Sequence, residues 1–227
     1  MTYDLYIGDR TFSSWSLRGW LMLEKFNFPY RAHLVGLYAG TMAEDMAALA
    51  PASLVPALRT PEGTVVGESL AMAETLAERH PDAGLWPNDA AARAAARWLC
   101  AEMCAGFAAL RSACPMQLQH VNEGFAVSPS LQADLHRLEV LWAHARAQSA
   151  VDGPWLFGSY SLADVFYAPV VARITGYDLP VSETAKAYCA VTLDDPAFNV
   201  WRAEGLKTTY DPFPYDMGVP TRPWPND

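Results

Sequence analysis

The sequence predicts a two-part fold, an α/β unit on a small mixed sheet followed by an all-helical unit. Two observations predict it. Over roughly the first eighty residues, short alternating apolar runs interleave with helical stripes, and after a stretch bracketed by Pro81 and Pro87 the strand signals stop. Long apolar stripes at three-to-four spacing take over from there. The boundary is therefore expected near residue 84, with units spanning 1–83 and 84–227.

The first strand is carried by Tyr3, Leu5 and Ile7 on one face, with Asp4 and Tyr6 on the other. A polar stretch from Gly8 to Ser14 leads into a helix over 15–26, where Leu17, Trp20, Leu21 and Leu23 form the stripe and Asn27 is the stop signal. Residues 30–35 read as a second strand, and 41–50 as a turn or two of helix. Val55-Pro56-Ala57-Leu58 and Val65-Val66 flank the turn signal Pro61-Glu62-Gly63, which makes a hairpin, and a helix follows over 68–79. This order pairs the first two strands in parallel through a crossover and the last two antiparallel.

In the second unit, 90–111 reads as one Ala-rich helix with Leu99, Met103, Phe107 and Leu110 on its stripe. Leu131, Leu135, Leu138, Leu141 and Trp142 mark a second helix, capped from Ser128 or Ser130. A third begins at Ser161 and runs to about Thr175, with Pro169 expected to kink it. The proline-dense tail, 210–227, cannot be regular helix, and its aromatics favour packing as an extended strap.

Composition narrows the class of function. The chain is 52% apolar, with eight Trp, ten Tyr and nine Phe, which is globular rather than disordered. No segment approaches the ~18 consecutive apolar residues of a membrane helix, and the N-terminus opens on a strand pattern rather than a leader. A cytoplasmic location and no membrane partner are expected. A net charge of −9 with scattered Lys and Arg argues against a nucleic-acid partner. Cys100, Cys104, Cys114 and Cys189 show no metal-ligand spacing, so a reduced, structural role and no metal are expected.

Four stretches could carry chemistry. Ser13-Ser14-Trp15-Ser16-Leu17-Arg18 lies where the first strand's loop enters the first helix. A helix start offers unpaired N–H groups and partial positive charge, a seat for an anion, although a serine there is equally explained as a cap. Val55-Pro56 precedes a buried strand; a cis peptide there would expose the Val55 backbone to an extended ligand. Glu68-Ser69 opens the helix after the hairpin, an ordinary helix start that could also hold an amino-acid head. The carboxylate would take its ammonium, and the hydroxyl with the free N–H groups its carboxyl. Ser161-Leu162-Ala163-Asp164 reads as a capping box, a structural feature.

In order and at these spacings, the four stretches resemble the cytosolic glutathione transferase superfamily over almost the whole chain, to about Leu206. The serine-type classes fit best, above all the zeta class (maleylacetoacetate isomerase-like) with its Ser-Ser-Cys-Ser signature; Trp15 stands in place of that cysteine. The resemblance implies a thioredoxin-like domain with a four-stranded mixed sheet, an all-α domain, and a homodimer. It implies glutathione as cosubstrate, with Ser13 as the catalytic hydroxyl and Ser14 as the near alternative. Val55 would pair with the cysteine unit of glutathione, and Glu68 and Ser69 would hold the γ-glutamyl end. Trp15, Met103 and Phe107 are the candidates for the wall of a pocket for the second, electrophilic substrate, although the helical spacing of the last two equally suits plain core.

Three functions are compatible with this reading: a transferase that attacks a small electrophile with the glutathione thiolate, a glutathione-dependent cis–trans isomerase, and a non-catalytic interaction module. Trp15 counts against the isomerase. The complete set of Ser13, Val55-Pro56 and Glu68-Ser69 counts against the module, which has no need of it.

Overall fold

Period-two burial along Tyr3–Ile7 makes this segment a sheet strand: Tyr3, Leu5 and Ile7 are buried while Asp4 and Tyr6 are half-exposed. It is β1 of a computed structural model that describes residues 2–208 and 216–225. Helix α1 (Ser14–Glu24) carries the chain over to β2 (Tyr30–Leu34), parallel to β1 as a crossover requires. After the short helix α2 (Met42–Met46), β3 (Ala57–Arg59) pairs antiparallel with both β1 and β4 (Val65–Val66). The sheet order is β2-β1-β3-β4, the mixed arrangement the sequence predicts, and α3 (Ser69–Arg79) follows it.

α1 ends because Asn27 adopts φ 56, a left-handed conformation that asparagine tolerates better than most residues. Its Leu17 and Leu21 are fully buried, each stabilising the fold by about 1.5–3 kcal/mol. Gly19 is required on the same helix: a Cβ there would lie 2.6 Å from the Pro56 ring. Pro56 can therefore seat directly against α1.

Helices follow from residue 90: α4 (Ala90–Ala105), α5 (Ala108–Ala113), α6 (Pro129–Ala147), α7 (Leu162–Gly176), α8 (Glu183–Leu193) and α9 (Pro196–Gly205). The single helix expected over 90–111 is in fact two. Gly106 leaves the helical region, where a Cβ would meet the Glu102 carbonyl at 2.9 Å, and Phe107 follows at φ 56. α7 continues through Pro169, and α8 and α9 carry no expectation from the sequence. α7 packs along both α1 and α4, so one hydrophobic core runs from Leu5 of the sheet to Phe166 and Trp201 of the helical unit.

Part of the proline-dense tail is an extended strap. β6 (Thr221–Pro223) pairs antiparallel with β5 (His120–Asn122), and Trp224 is buried beneath the Arg202 guanidinium. Residues 209–215 and 226–227 of the tail lie outside the described residues. The four cysteines are free thiols. Among the described residues no helix is long and apolar enough to cross a membrane.

Candidate functional site

Strand register brings three segments to one end of the sheet. β1 exits at Ile7, Tyr6 faces Ala57 at the start of β3, and Leu58 faces Val66 at the end of β4. The loop into α1, the Val55-Pro56 turn and the start of α3 therefore converge. Gly8 is held between the side chains of Leu37 and Val55, and Gly19 between Pro56 and Met72 of α3.

At the start of α1, Ser13 is the N-cap. Its hydroxyl accepts the Ser16 amide at 3.3 Å and donates to Ser16 Oγ at 2.8 Å, and Ser16 Oγ in turn accepts the Gly8 amide at 2.9 Å. The Ser14 and Trp15 amides donate to nothing among the described residues, and no acid stands in the first turn. The helix start is thus polarised and partly unsatisfied, which favours an anion. Ser14 Oγ accepts from Arg173 Nη2 of α7 at 3.2 Å, and no group among the described residues takes its proton.

Cationic charge is concentrated here. Arg18 is 1% exposed; it donates to the Phe166 carbonyl at 3.0 Å and the Ser14 carbonyl at 3.3 Å. Burial and repulsion from Arg173 push its guanidinium down to about 9, so it stays charged at neutral pH. The half-buried Trp15 ring has Arg18 Cζ at 4.3 Å and Arg111 Cζ at 5.2 Å from its centre. The partners of Arg18 are carbonyls and an aromatic face rather than an acid. Arg111 and Arg173 carry no expectation from the sequence. The available signal was an arginine inside the apolar run Val170-Val171-Ala172-Arg173-Ile174, which demands a buried polar partner.

The Val55-Pro56 bond is cis, and the Val55 amide and carbonyl pair with nothing among the described residues. They form a short open backbone edge. Glu68 takes φ 59 and ψ 122, a conformation that costs a non-glycine residue of order 1–3 kcal/mol. Its carboxylate is exposed and has no hydrogen bond or ion pair among the described residues. A cavity of about 350 Å³ opens beside it, walled by Leu54, Gly67 and Ala71. Ser69 is buried, near the Cys104 thiol of α4. Burial pushes that thiol up, an effect the Arg18 charge partly offsets.

Met103 and Phe107 lie in the main core, 0% and 5% exposed. Open space lies elsewhere: a cavity of about 1070 Å³ between the loop into α1, the stretch after β2 and the end of α9, lined by Arg10, Leu37, Tyr38, Glu204 and Lys207. Through Leu37 it adjoins Gly8 and Val55. The loop into α1 is tied to α9 by Thr11 Oγ1 donating to the Gly205 carbonyl at 2.6 Å and Trp201 Nε1 donating to the Arg10 carbonyl at 2.7 Å. Among the described residues no cluster of His, Cys, Asp or Glu could hold a metal ion.

Residues 12–79 match the family of glutathione S-transferase N-terminal domains. A probable maleylacetoacetate isomerase of Caenorhabditis elegans is 29% identical over 200 residues, 86% of this chain and 90% of that protein. A maleylacetoacetate isomerase of Dictyostelium discoideum is 34% identical over 94 residues, 41% of this chain and 42% of that protein. Among solved structures, a Burkholderia glutathione transferase homolog with bound glutathione superposes with TM-score 0.67 at 20% identity, covering 92% of this chain and all of that one. Glutathione transferase Omega 1C of Trametes versicolor gives TM-score 0.67 at 17% identity, over 91% of this chain and 94% of that one. These structural likenesses establish a shared fold, a sheet domain followed by a helical domain.

Proposed function

We propose that the chain is a zeta-like member of the glutathione transferase superfamily that binds glutathione and uses its thiolate on a small electrophile. The observation that carries the proposal is the convergence of an unsatisfied helix start, a free backbone edge at Val55, and a free carboxylate at Glu68 on one end of the sheet. Each matches one part of a γ-glutamyl tripeptide. Glu68 would take the ammonium and Ser69 the α-carboxyl, the Val55 backbone would pair with the cysteine unit, and the thiol would lie at the start of α1.

A free thiol has a pKa of ~8.5, so only a few per cent is thiolate at pH 7. A serine hydroxyl is too weak a base to remove the proton, which goes to solvent. Ser13 instead donates a hydrogen bond to the anion once its hydroxyl turns from Ser16 Oγ, and the open Ser14 and Trp15 amides add to it. Lowering the thiol pKa by about two units takes ~2.7 kcal/mol, within the reach of one charge-assisted bond and the helix start. The thiolate then attacks an electrophilic carbon, displacing a leaving group with its bonding pair or adding across an activated double bond that takes a proton from solvent. The electrophile would enter from the cavity lined by Leu37, Tyr38 and Arg10, whose mainly apolar wall would hold it.

A second reading, cis–trans isomerisation by addition and loss of the same thiol, is supported by the two isomerase relatives and by Arg18 and Arg111 around Trp15, which suit a carboxylate-bearing substrate. Thiol stoichiometry separates the two: conjugation consumes one glutathione per turnover, isomerisation none. The proposal also places the protein in the cytoplasm as a homodimer. The neighbouring Trp98 of α4 and Val140 of α6, 49% and 43% exposed, would meet the second copy, and sedimentation at monomer mass would remove that element.

Calorimetric titration with glutathione tests the core of the reading. Saturable binding is expected, weakened about tenfold in Glu68→Ala, the loss of one charge-assisted contact. No binding by the unaltered protein removes both enzymatic readings.

A further inference from the structure

Arg173 comes from the helical domain, nearly 160 positions along the chain from the serines of α1, and is 6% exposed. Its guanidinium is held rigidly. Nε donates to the Cys114 carbonyl at 2.9 Å and Nη1 to the Pro169 carbonyl at 3.2 Å, which aims Nη2 at Ser14 Oγ, 3.2 Å away. A hydroxyl that accepts from a fixed cation must turn its own proton away from that cation. Ser14 is the first residue of α1, beside the unsatisfied amides, and its carbonyl is meanwhile held by Arg18 Nη1 at 3.3 Å. Both polar ends of one residue at the helix start are therefore fixed by buried arginines. Among the described residues, the groups that act on the neighbouring Arg18 guanidinium are Arg173, Cys104, Arg111 and Cys100, and no acid stands in the first turn of α1.

We propose that Arg173 is a positioning residue for thiolate formation: it holds the Ser14 hydroxyl as a second hydrogen-bond donor toward the anion and adds positive charge there from the other domain. The inference rests on the glutathione-dependent reading above and deepens it. Coupling of this kind ties the chemistry of the sheet domain to the docking of α7. Beside its two carbonyl bonds, Nη2 of Arg173 reaches a hydroxyl in the site.

The test is the pKa of the glutathione thiol bound to the intact protein, read from thiolate ultraviolet absorbance against pH, with saturation checked by calorimetry. Ser14→Ala leaves the carbonyl bonds of Arg173 intact and is expected to raise the bound thiol pKa by about one unit, a tenfold loss of thiolate at a given pH below it. Arg173→Met is expected to raise it at least as much, Arg173→Lys by less, and Ser14→Ala combined with Arg173→Met no further than Arg173→Met alone. A lowered thiol pKa that is the same in the unaltered protein, Ser14→Ala and Arg173→Lys overturns the role of Arg173 while leaving the glutathione reading intact. A bound thiol titrating like free glutathione in the unaltered protein overturns that reading itself.

Discussion

Two helices of this protein start on a serine cap in a buried setting, and they end up chemically opposite. At α7 every donor of the first turn is used: Leu162 N goes to the Leu85 carbonyl, Ala163 N to Ser161 Oγ, and Asp164 N and Val165 N to the Ser161 carbonyl. Asp164 in turn accepts from the amides of Leu156 and Ser161 and the hydroxyls of Ser161 and Tyr188. At α1 the cap serves one amide, two amides stay open, and the acid that would complete a box is missing. A helix start whose donors are all spent locally is a nucleation device. One whose donors are left facing a free backbone edge is a seat for a foreign anion. The difference lies in the partners: at α7 the Leu85 carbonyl takes the Leu162 amide and Asp164 takes the amide of the cap itself, and the start of α1 has neither.

Closing the box at α7 costs a buried charge, and that gives the largest expected effect. Burial pushes the Asp164 carboxyl up from 3.8 to about 6, despite the donors that favour its ionised form. A raised folded-state pKa means the folded protein holds this proton more tightly than the unfolded chain. Its contribution is therefore fully present below pH 3.8 and is lost as pH rises through about 6. Urea unfolding of the native protein between pH 3 and 8 should show a loss of about 3 kcal/mol relative to its own acid-side value, one that Asp164→Asn does not share. Parallel pH profiles for the two proteins would mean the carboxyl titrates normally and the box carries no charge penalty.

Next in size is the open start of α1. Ser13→Ala removes the proposed donor to the thiolate but spares Val55 and Glu68, so turnover should fall about a hundredfold while glutathione affinity stays nearly constant. Steady-state kinetics beside calorimetry read the two separately. Full activity in Ser13→Ala together with an inactive Ser14→Ala would exchange the roles of the two hydroxyls. A loss of affinity matching the loss of turnover would make Ser13 a cap, as at α7, and the contrast between the two helices would fail.

The sequence made much of this legible, because local chemistry decides it. Alternation along Tyr3–Ile7, the Val55-Pro56 turn before β3, and the Ser161–Asp164 box each depend on neighbours within a few residues, and each reads correctly as an element. The parallel first pair and the antiparallel hairpin follow from connection rules. What stayed hidden depends on packing between distant segments. Whether the start of α1 is a plain cap or an open seat could not be read locally, since Arg173, the partner of Ser14, lies far away in sequence. Met103 and Phe107 share a stripe that serves core or pocket equally well, and only burial places them in the core. The break at Gly106 is set by one glycine within an otherwise unbroken apolar period.

The smallest expected effect separates stability from function at a third helix start, that of α3. Glu68 holds φ 59 although its side chain makes no hydrogen bond or ion pair among the described residues that would offset the strain. Glycine relieves the steric cost of that conformation but adds freedom to the unfolded chain, so Glu68→Gly should stabilise the protein by about 0.5–1 kcal/mol. The same change removes the carboxylate proposed to meet the γ-glutamyl ammonium, and glutathione affinity should fall about tenfold, as in Glu68→Ala. Chemical denaturation and calorimetry on one preparation then move in opposite directions. A structural residue would lose both or neither. If Glu68→Gly gains stability with no change in affinity, the strained glutamate at α3 belongs with the self-contained start of α7, and the ammonium of the ligand is held elsewhere.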